Sequence, residues 1–300
     1  MKRSSCRPSS IVLFLVCLMP ATFSAFAQRD FSDVTIKTQH VAGNVYMLQG
    51  AGGNIGVSAG EDGILIVDDQ FAPLAEKIRA ALSDLHKGDL HFILNTHYHG
   101  DHTGGNEVFG AEAPIIAHDN VLKRLSTRQE SSRGVREPLP RKAWPVITFS
   151  QSVSVHFNGE EIKVIHFPAG HTDGDSIIFF TGSNVVHMGD DFFAGHFPFI
   201  DLEAGGSVKG YARNVQAALE QIPADAKIIP GHGPLSTADD LKSFSDMLRE
   251  TIAIVEEKMK AGETLDQMKE EGLPPKWASW SWRFIDTNSW IETIYKSLSQ

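Results

Sequence analysis

Cysteine is almost missing from this chain: of 300 residues only Cys6 and Cys17 carry a thiol, and both lie near the start. That start reads as a secretory signal peptide over 1–27, with Lys2, Arg3 and Arg7 ahead of the apolar run Ile11 to Met19 and a small-residue cleavage pattern at Ala25-Phe26-Ala27. Cleavage there leaves a mature chain, 28–300, without cysteine, which excludes disulfides and thiolate metal ligands and predicts a periplasmic or secreted protein. Long apolar runs are lacking too. Ile11 to Met19 falls far short of the roughly 20 residues a membrane span needs, and Val16 sits where a lipidated Cys17 would be preceded by a small residue, so no stable membrane anchor is expected. Low-complexity tracts and a Gly/Pro linker are likewise absent, so 28–300 is expected to be a single domain with a C-terminal helical extension. Basic charge is scarce: losing Lys2, Arg3 and Arg7 takes the formal charge from −10 to −13, which excludes nucleic acid as a partner.

One stretch runs against that balance. Between 123 and 142, Lys123, Arg124, Arg128, Arg133, Arg136, Arg141 and Lys142 face only Glu130 and Glu137, a local charge of +5. Elsewhere the pattern alternates between strand and helix. Val41 to Gln49, Asn54 to Ala59 and Ile64 to Val67 read as strands, Leu74 to His86 as a helix and His91 to Asn95 as a buried strand. A second pass repeats the theme, with strands at Ser152 to Phe157, Glu161 to Phe167, Ser176 to Phe180, Asn184 to His187 and Lys227 to Ile229, and a helix over Val208 to Gln221. Helices at Ser236 to Ala261 and Ser289 to Leu298 complete an α/β chain in which two sheets are expected between outer helices.

The richest chemistry follows the strand ending near Asn95: His97-Tyr98-His99-Gly100-Asp101-His102 packs three imidazoles and a carboxylate into one turn, and Gly100 is expected to let the backbone fold tightly there. Nitrogen ligands beside a hard oxygen suit zinc best, with iron and manganese as competitors. Eight histidines, His40, His86, His91, His118, His156, His166, His187 and His196, read as structural or surface groups. His171, after Pro168-Ala169-Gly170, and His232, in Pro230-Gly231-His232-Gly233, stand instead in Gly-containing turns beyond strands, and Asp190 follows His187-Met188-Gly189 in the same way.

In this order, His-x-His-x-Asp-His, Gly170-His171-Thr172, Gly189-Asp190 and Gly231-His232-Gly233 resemble the metallo-β-lactamase superfamily over about residues 34 to 235. The resemblance implies an αββα sandwich with a metal site at one edge of the two sheets. It implies His97, His99 and His171 on one zinc, Asp101, His102 and His232 on a second, Asp190 bridging both, and Asp68 as a buttress of the first loop. Two ions sharing a carboxylate would supply a bridging hydroxide as nucleophile, with Asp101 as the catalytic residue that orients it or shuttles its proton. The implied activity is a metal-dependent hydrolase acting on an ester, lactone, amide or similar bond of a small molecule. A β-lactamase and a mononuclear iron redox enzyme are the alternatives. Two features bear on the substrate. The +5 segment falls between the first two ligand loops and reads first as a solvated Arg-rich loop, with recognition of a substrate carboxylate or phosphate as the alternative, while Phe192, Phe193, Phe197 and Phe199 and the later Trp277, Trp280, Trp282 and Trp290 read mostly as core, with some left to wall a pocket.

Overall fold

The computed structural model describes residues 30–132 and 134–300; residues 1–29, which include the segment 1–27 expected to be a signal peptide, and Arg133 lie outside the described residues. Strands Lys37–Ala42 (β1), Val45–Gln49 (β2), Ile55–Gly60 (β3) and Gly63–Val67 (β4) form an antiparallel meander. The helix Ala75–Leu85 (α1) then carries the chain back so that Leu90–Leu94 (β5) runs parallel to β4. Beyond the short helices Gly100–Thr103 (α2) and Asn106–Phe109 (α3) comes Ile115–His118 (β6). Helix Asp119–Ser126 (α4) follows, then the hairpin Gln129–Ser131 (β7) with Gly134–Arg136 (β8), and Ile147–Phe149 (β9) closes a seven-stranded sheet ordered β1-β2-β3-β4-β5-β6-β9.

The second sheet is built from Ser152–Phe157 (β10), Glu160–His166 (β11), Ser176–Phe180 (β12) and Val185–His187 (β13). Helix Val208–Leu219 (α5) leads to Lys227–Ile229 (β14), parallel to β13, and Ser236–Thr237 (β15) completes the six-stranded order β10-β11-β12-β13-β14-β15. The long helix Ala238–Lys260 (α6), Leu265–Glu271 (α7) and Thr287–Leu298 (α8) end the chain. In both sheets an antiparallel meander gives way to a parallel strand reached over a helix, which is the repeat the sequence suggests.

Three apolar layers hold this arrangement. Met47, Leu65, Val67 and Leu94 of the first sheet meet Val164, Ile178, Phe180 and Ile229 of the second between the sheets. On the outer face of the first sheet, Ile55, Val57 and Ile66 pack on Leu74, Ile78 and Leu82 around α1. On the outer face of the second, Ile177, Val186 and Ile228 meet Tyr211 and Val215 of α5, Phe244 and Leu248 of α6, and Trp290 and Ile294 of α8. The αββα sandwich therefore stands.

Several expectations need correction. The strand expected over Val41 to Gln49 is a hairpin: its first arm starts at Lys37, and Ala42 pairs with Val45 across Gly43 and Asn44. β6, β9, α4 and the β7–β8 hairpin do not stand out in the sequence, because β6 and β9 are short and the hairpin arms are polar and mostly exposed. Gly100 is not what tightens the first loop. It begins α2 with an ordinary φ, a Cβ there would meet nothing within 4 Å, and the tightness comes from helical hydrogen bonds of His102 and Thr103 backbone N–H to the His99 carbonyl.

Candidate metal centre

The candidate ligands sit where strands stop. His97 to His102 follow β5, His171 follows β11, Asp190 follows β13 and His232 follows β14, all at carboxyl ends on one edge of the sandwich. His97, His99, His171 and Asp190 each bring a ligand atom within 4.8 Å of the others, and Asp101, His102 and His232 form a second such group. The two groups meet at Asp190. Its Oδ2 lies 3.4 Å from His171 Nε2 and 3.8 Å from His97 Nε2, while Oδ1 lies 3.0 Å from His102 Nε2 and 3.4 Å from His232 Nε2. Asp101 Oδ2 faces the second group only, 3.4 Å from His232 Nε2 and 3.9 Å from His102 Nε2.

Four of the five imidazoles are aimed by a partner on their other nitrogen, His97 through Nδ1 at 3.0 Å from the Thr96 hydroxyl. His102 Nδ1 sits 2.7 Å from Asp68 Oδ2, and Asp68 also accepts from the Thr96 backbone N–H and hydroxyl, contacts that hold Asp68 in the left-handed region at φ 64°. The buttress role implied for Asp68 thus has its geometry. His171 Nδ1 lies 2.7 Å from the Phe199 carbonyl, and His99 Nε2 lies 2.9 Å from Asp201 Oδ2, which also accepts from the Tyr98 hydroxyl. Asp201 escaped the sequence reading. It follows no ligand motif, and its one signal is an acid placed directly after the apolar run Phe197-Pro198-Phe199-Ile200. Two more missed residues fix the loops: Asn54 donates through Nδ2 to the carbonyls of Pro230 and Gly233 around His232, and the Tyr211 hydroxyl of α5 donates to the Asp190 carbonyl at 2.6 Å. Close packing demands glycine at 231, where a Cβ would come within 2.1 Å of Asp190 Oδ1.

The donor set suits a cation. His102 Nε2 and His232 Nε2 converge on the buried Asp190 Oδ1 at 3.0 and 3.4 Å, a meeting of lone pairs that calls for a proton or a cation between them. Burial pushes His97 well below its ordinary pKa and His99 down to about 4, leaving both imidazoles neutral and able to donate lone pairs. For His102 and His232 burial acts in the same sense but loses to the carboxylates. Asp190, Asp68 and Asp101 hold His102 well above its usual value, and Asp190 and Asp101 hold His232 at about 9. Without a metal, protons take the place that the negative field offers to a cation. Asp190 stays ionised although burial opposes it, because His102, His232 and His171 stabilise its charge.

A cleft of ≈670 Å³ opens onto the cluster, lined by Gly52, Phe71, His99, Gly100, Asp101, Asp190, Phe193, Phe199, His232, Trp282, Arg283 and Phe284. Phe193 and Phe199 wall it as the sequence allowed, whereas Phe192, Phe197 and Trp290 are fully buried core. The basic segment lies to one side. Arg124 pairs with Asp173, Arg128 with Glu130 and Glu137, and Lys142 with Glu107, while Arg136 lies over the Tyr98 ring. Arg124 and Arg136 line a smaller cavity of ≈240 Å³ that meets the cleft at His99.

The family model described as the metallo-beta-lactamase superfamily matches residues 40–232, and the chain belongs to that superfamily of metallo-hydrolases. Among curated relatives, it is 26% identical over 165 residues to the 2,4-dinitroanisole O-demethylase subunit alpha of Nocardioides sp. (strain JS1661), covering 54% of this chain and 48% of that one. It is 27% identical over 175 residues to the hydroxyacylglutathione hydrolase of Prochlorococcus marinus (strain MIT 9301), covering 56% and 62%. The matches thus span about half to three fifths of those relatives. The crystal structure of DIM-1 metallo-beta-lactamase superposes with a TM-score of 0.60 at 18% identity, over 73% of this chain and 99% of that one, which shows a shared fold.

Proposed function

We propose that this protein is a hydrolase dependent on two zinc ions, acting on an ester, lactone, amide or similar bond of a small molecule. The observation that carries the reading is the split carboxylate of Asp190, whose two oxygens face separate sets of imidazoles. In this reading His97, His99 and His171 hold one ion, Asp101, His102 and His232 the other, and Asp190 spans both. Bound there, two such ions would supply an acidified water, with its pKa lowered to about 7, and a Lewis acid for the oxygen of the bond under attack.

The chain's own residues supply the rest. None of the residues lining the cleft bears a hydroxyl, thiol or amine, so no serine-, cysteine- or lysine-type nucleophile is at hand, and in this reading water is the nucleophile. Asp101 is the catalytic residue. Burial disfavours its charge, but His102 and His232 outweigh that and hold its carboxyl below the ordinary range, so it stays an acceptor able to orient the attacking water. Its side chain remains 31% exposed at the cleft, within reach of solvent for passing a proton outward. Phe71, Phe193, Phe199 and Trp282 form dry walls that favour an apolar acyl or aryl portion. Export to the periplasm or beyond belongs to the same proposal, supported by the charge, apolar and small-residue pattern of 1–27 and by the absence of cysteine from 28–300.

The test is a panel of aryl esters, lactones, thioesters, phosphodiesters and β-lactams offered to the purified protein. Turnover of a carboxylic ester or lactone, abolished by a chelator and restored by zinc, is expected. A protein that takes up zinc yet cleaves nothing on the panel would overturn the hydrolase reading, and turnover confined to β-lactams would replace the ester reading with a lactamase.

A further inference from the structure

The cleft's outer wall comes from a part of the chain beyond the 40–232 span of the family match. After α7 the chain returns to the metal edge and makes a tight excursion at Trp282-Arg283-Phe284-Ile285. Both ends of the excursion are anchored. The Trp282 backbone N–H donates to the Ile285 carbonyl at 3.0 Å, its indole N–H donates to the Phe197 carbonyl at 2.9 Å, and Phe197 N–H donates back to the Trp280 carbonyl at 2.9 Å. Trp282 stacks on His196 with ring centroids 5.1 Å apart, and Ile285 is buried. What this anchoring leaves exposed is one cation and one aromatic ring, Arg283 and Phe284, both lining the metal cleft.

Phe284 is 59% exposed, unusual for so large an apolar group, yet it continues an aromatic wall. Its ring lies 5.6 Å from Phe199 and 5.7 Å from Trp282, and Phe199 in turn lies 5.8 Å from the rings of His99 and His171. Arg283 is the sole Arg or Lys among the cleft's lining residues, and no carboxylate among the described residues forms an ion pair with it. This sets it apart from Arg124 and Arg128, whose charges are already matched by acids. A guanidinium at the rim of an apolar cleft, held on a fixed turn and unpaired, is suited to a forked hydrogen bond with a carboxylate or similar oxyanion.

We propose that Arg283 and Phe284 form a substrate-recognition subsite for amphipathic anions: molecules whose apolar body lies along Phe199, Trp282 and Phe284 while a terminal carboxylate pairs with Arg283. The subsite rests on the hydrolase reading for its substrate but not for its binding. A substrate of this class carries its charge several methylenes away from the bond presented to the metal cluster. Arg283 acts in specificity and contacts no reacting atom.

The test uses two chromogenic esters that differ only in the free or methyl-capped terminal carboxylate, mono-4-nitrophenyl suberate and its methyl-capped diester, with zinc-loaded full mature protein. Arg283→Gln is expected to raise KM for the monoanion at least tenfold and at least five times more than for the capped diester, with kcat for the monoanion little changed. Arg283→Lys should recover part of the loss, and Phe284→Ala should raise KM for both esters. Calorimetric binding of 8-(4-nitrophenoxy)octanoate, an ether analogue with no acyl bond to cleave, should weaken by a similar factor in Arg283→Gln. Esters cleaved by wild type with equal changes for both charges would overturn the subsite and leave the hydrolase intact. No cleavage, with ether binding that still depends on Arg283, would uphold the subsite and overturn the ester reading. Ether binding indifferent to Arg283 would overturn the subsite whatever the esters do.

Discussion

At the scale of single residues the site is a balance between burial and opposite charge, and that balance makes a signed prediction about pH. His232 has its pKa raised to about 9 against an ordinary 6.5, since Asp190 and Asp101 outweigh the burial that opposes its charge. In metal-free protein this imidazolium stabilises the fold fully below about pH 6.5, and the contribution is lost as pH rises through about 9. If zinc binds as proposed, it replaces this proton, so its stabilising effect should grow over the same interval. Thermal unfolding of chelated protein with and without added zinc, between pH 6.5 and 9, should show the metal-free Tm falling and the zinc increment widening. A zinc increment independent of pH would mean that His232 holds no displaceable proton. The seven candidate ligands were legible in the sequence because histidines and carboxylates in Gly-containing turns at strand ends carry a spacing signal. Asp201 and Asn54 were not, because partners that aim a ligand are recruited by three-dimensional proximity and follow no spacing.

At the scale of elements, helix α5 positions two ligand loops at once. Tyr211 holds the Asp190 carbonyl, and Gly210 lets the helix approach the loop carrying His171 so closely that a Cβ there would lie 1.8 Å from the Ala169 carbonyl oxygen. Alanine is the better helix former by about 1 kcal/mol, so propensity alone predicts that Gly210→Ala stabilises. The steric conflict should win. A net loss of about 1–3 kcal/mol is expected from urea denaturation, with weaker zinc retention because Ala169 is two residues from His171. An increase in stability would show that the loop yields freely and that α5 does not set its position. The long helices and the strands Ser152–Phe157, Ser176–Phe180 and Lys227–Ile229 were readable from periodicity and apolar runs. The β7–β8 hairpin was not, since its arms bury almost nothing and pair with each other alone.

At the scale of the whole molecule, the two sheets meet along an apolar layer and present their carboxyl-end loops on one edge, so each sheet contributes part of the donor set. The first supplies His97, His99, Asp101 and His102, and the second supplies His171, Asp190 and His232. Asp190 joins the two contributions, and two ions held across it are the account's central claim. The most direct measurement is the zinc content of chelated and reloaded mature protein, read by elemental analysis and native mass spectrometry alongside the Asp190→Ser variant. Two ions per chain are predicted for the wild type. Asp190→Ser should stay folded, lose at least one ion and drop hydrolysis at least tenfold, about 1.4 kcal/mol of transition-state stabilisation. A reproducible content of one ion, left intact by His102→Ala and by Asp190→Ser, would contradict the dinuclear centre and with it the role assigned to the Asp190 carboxylate.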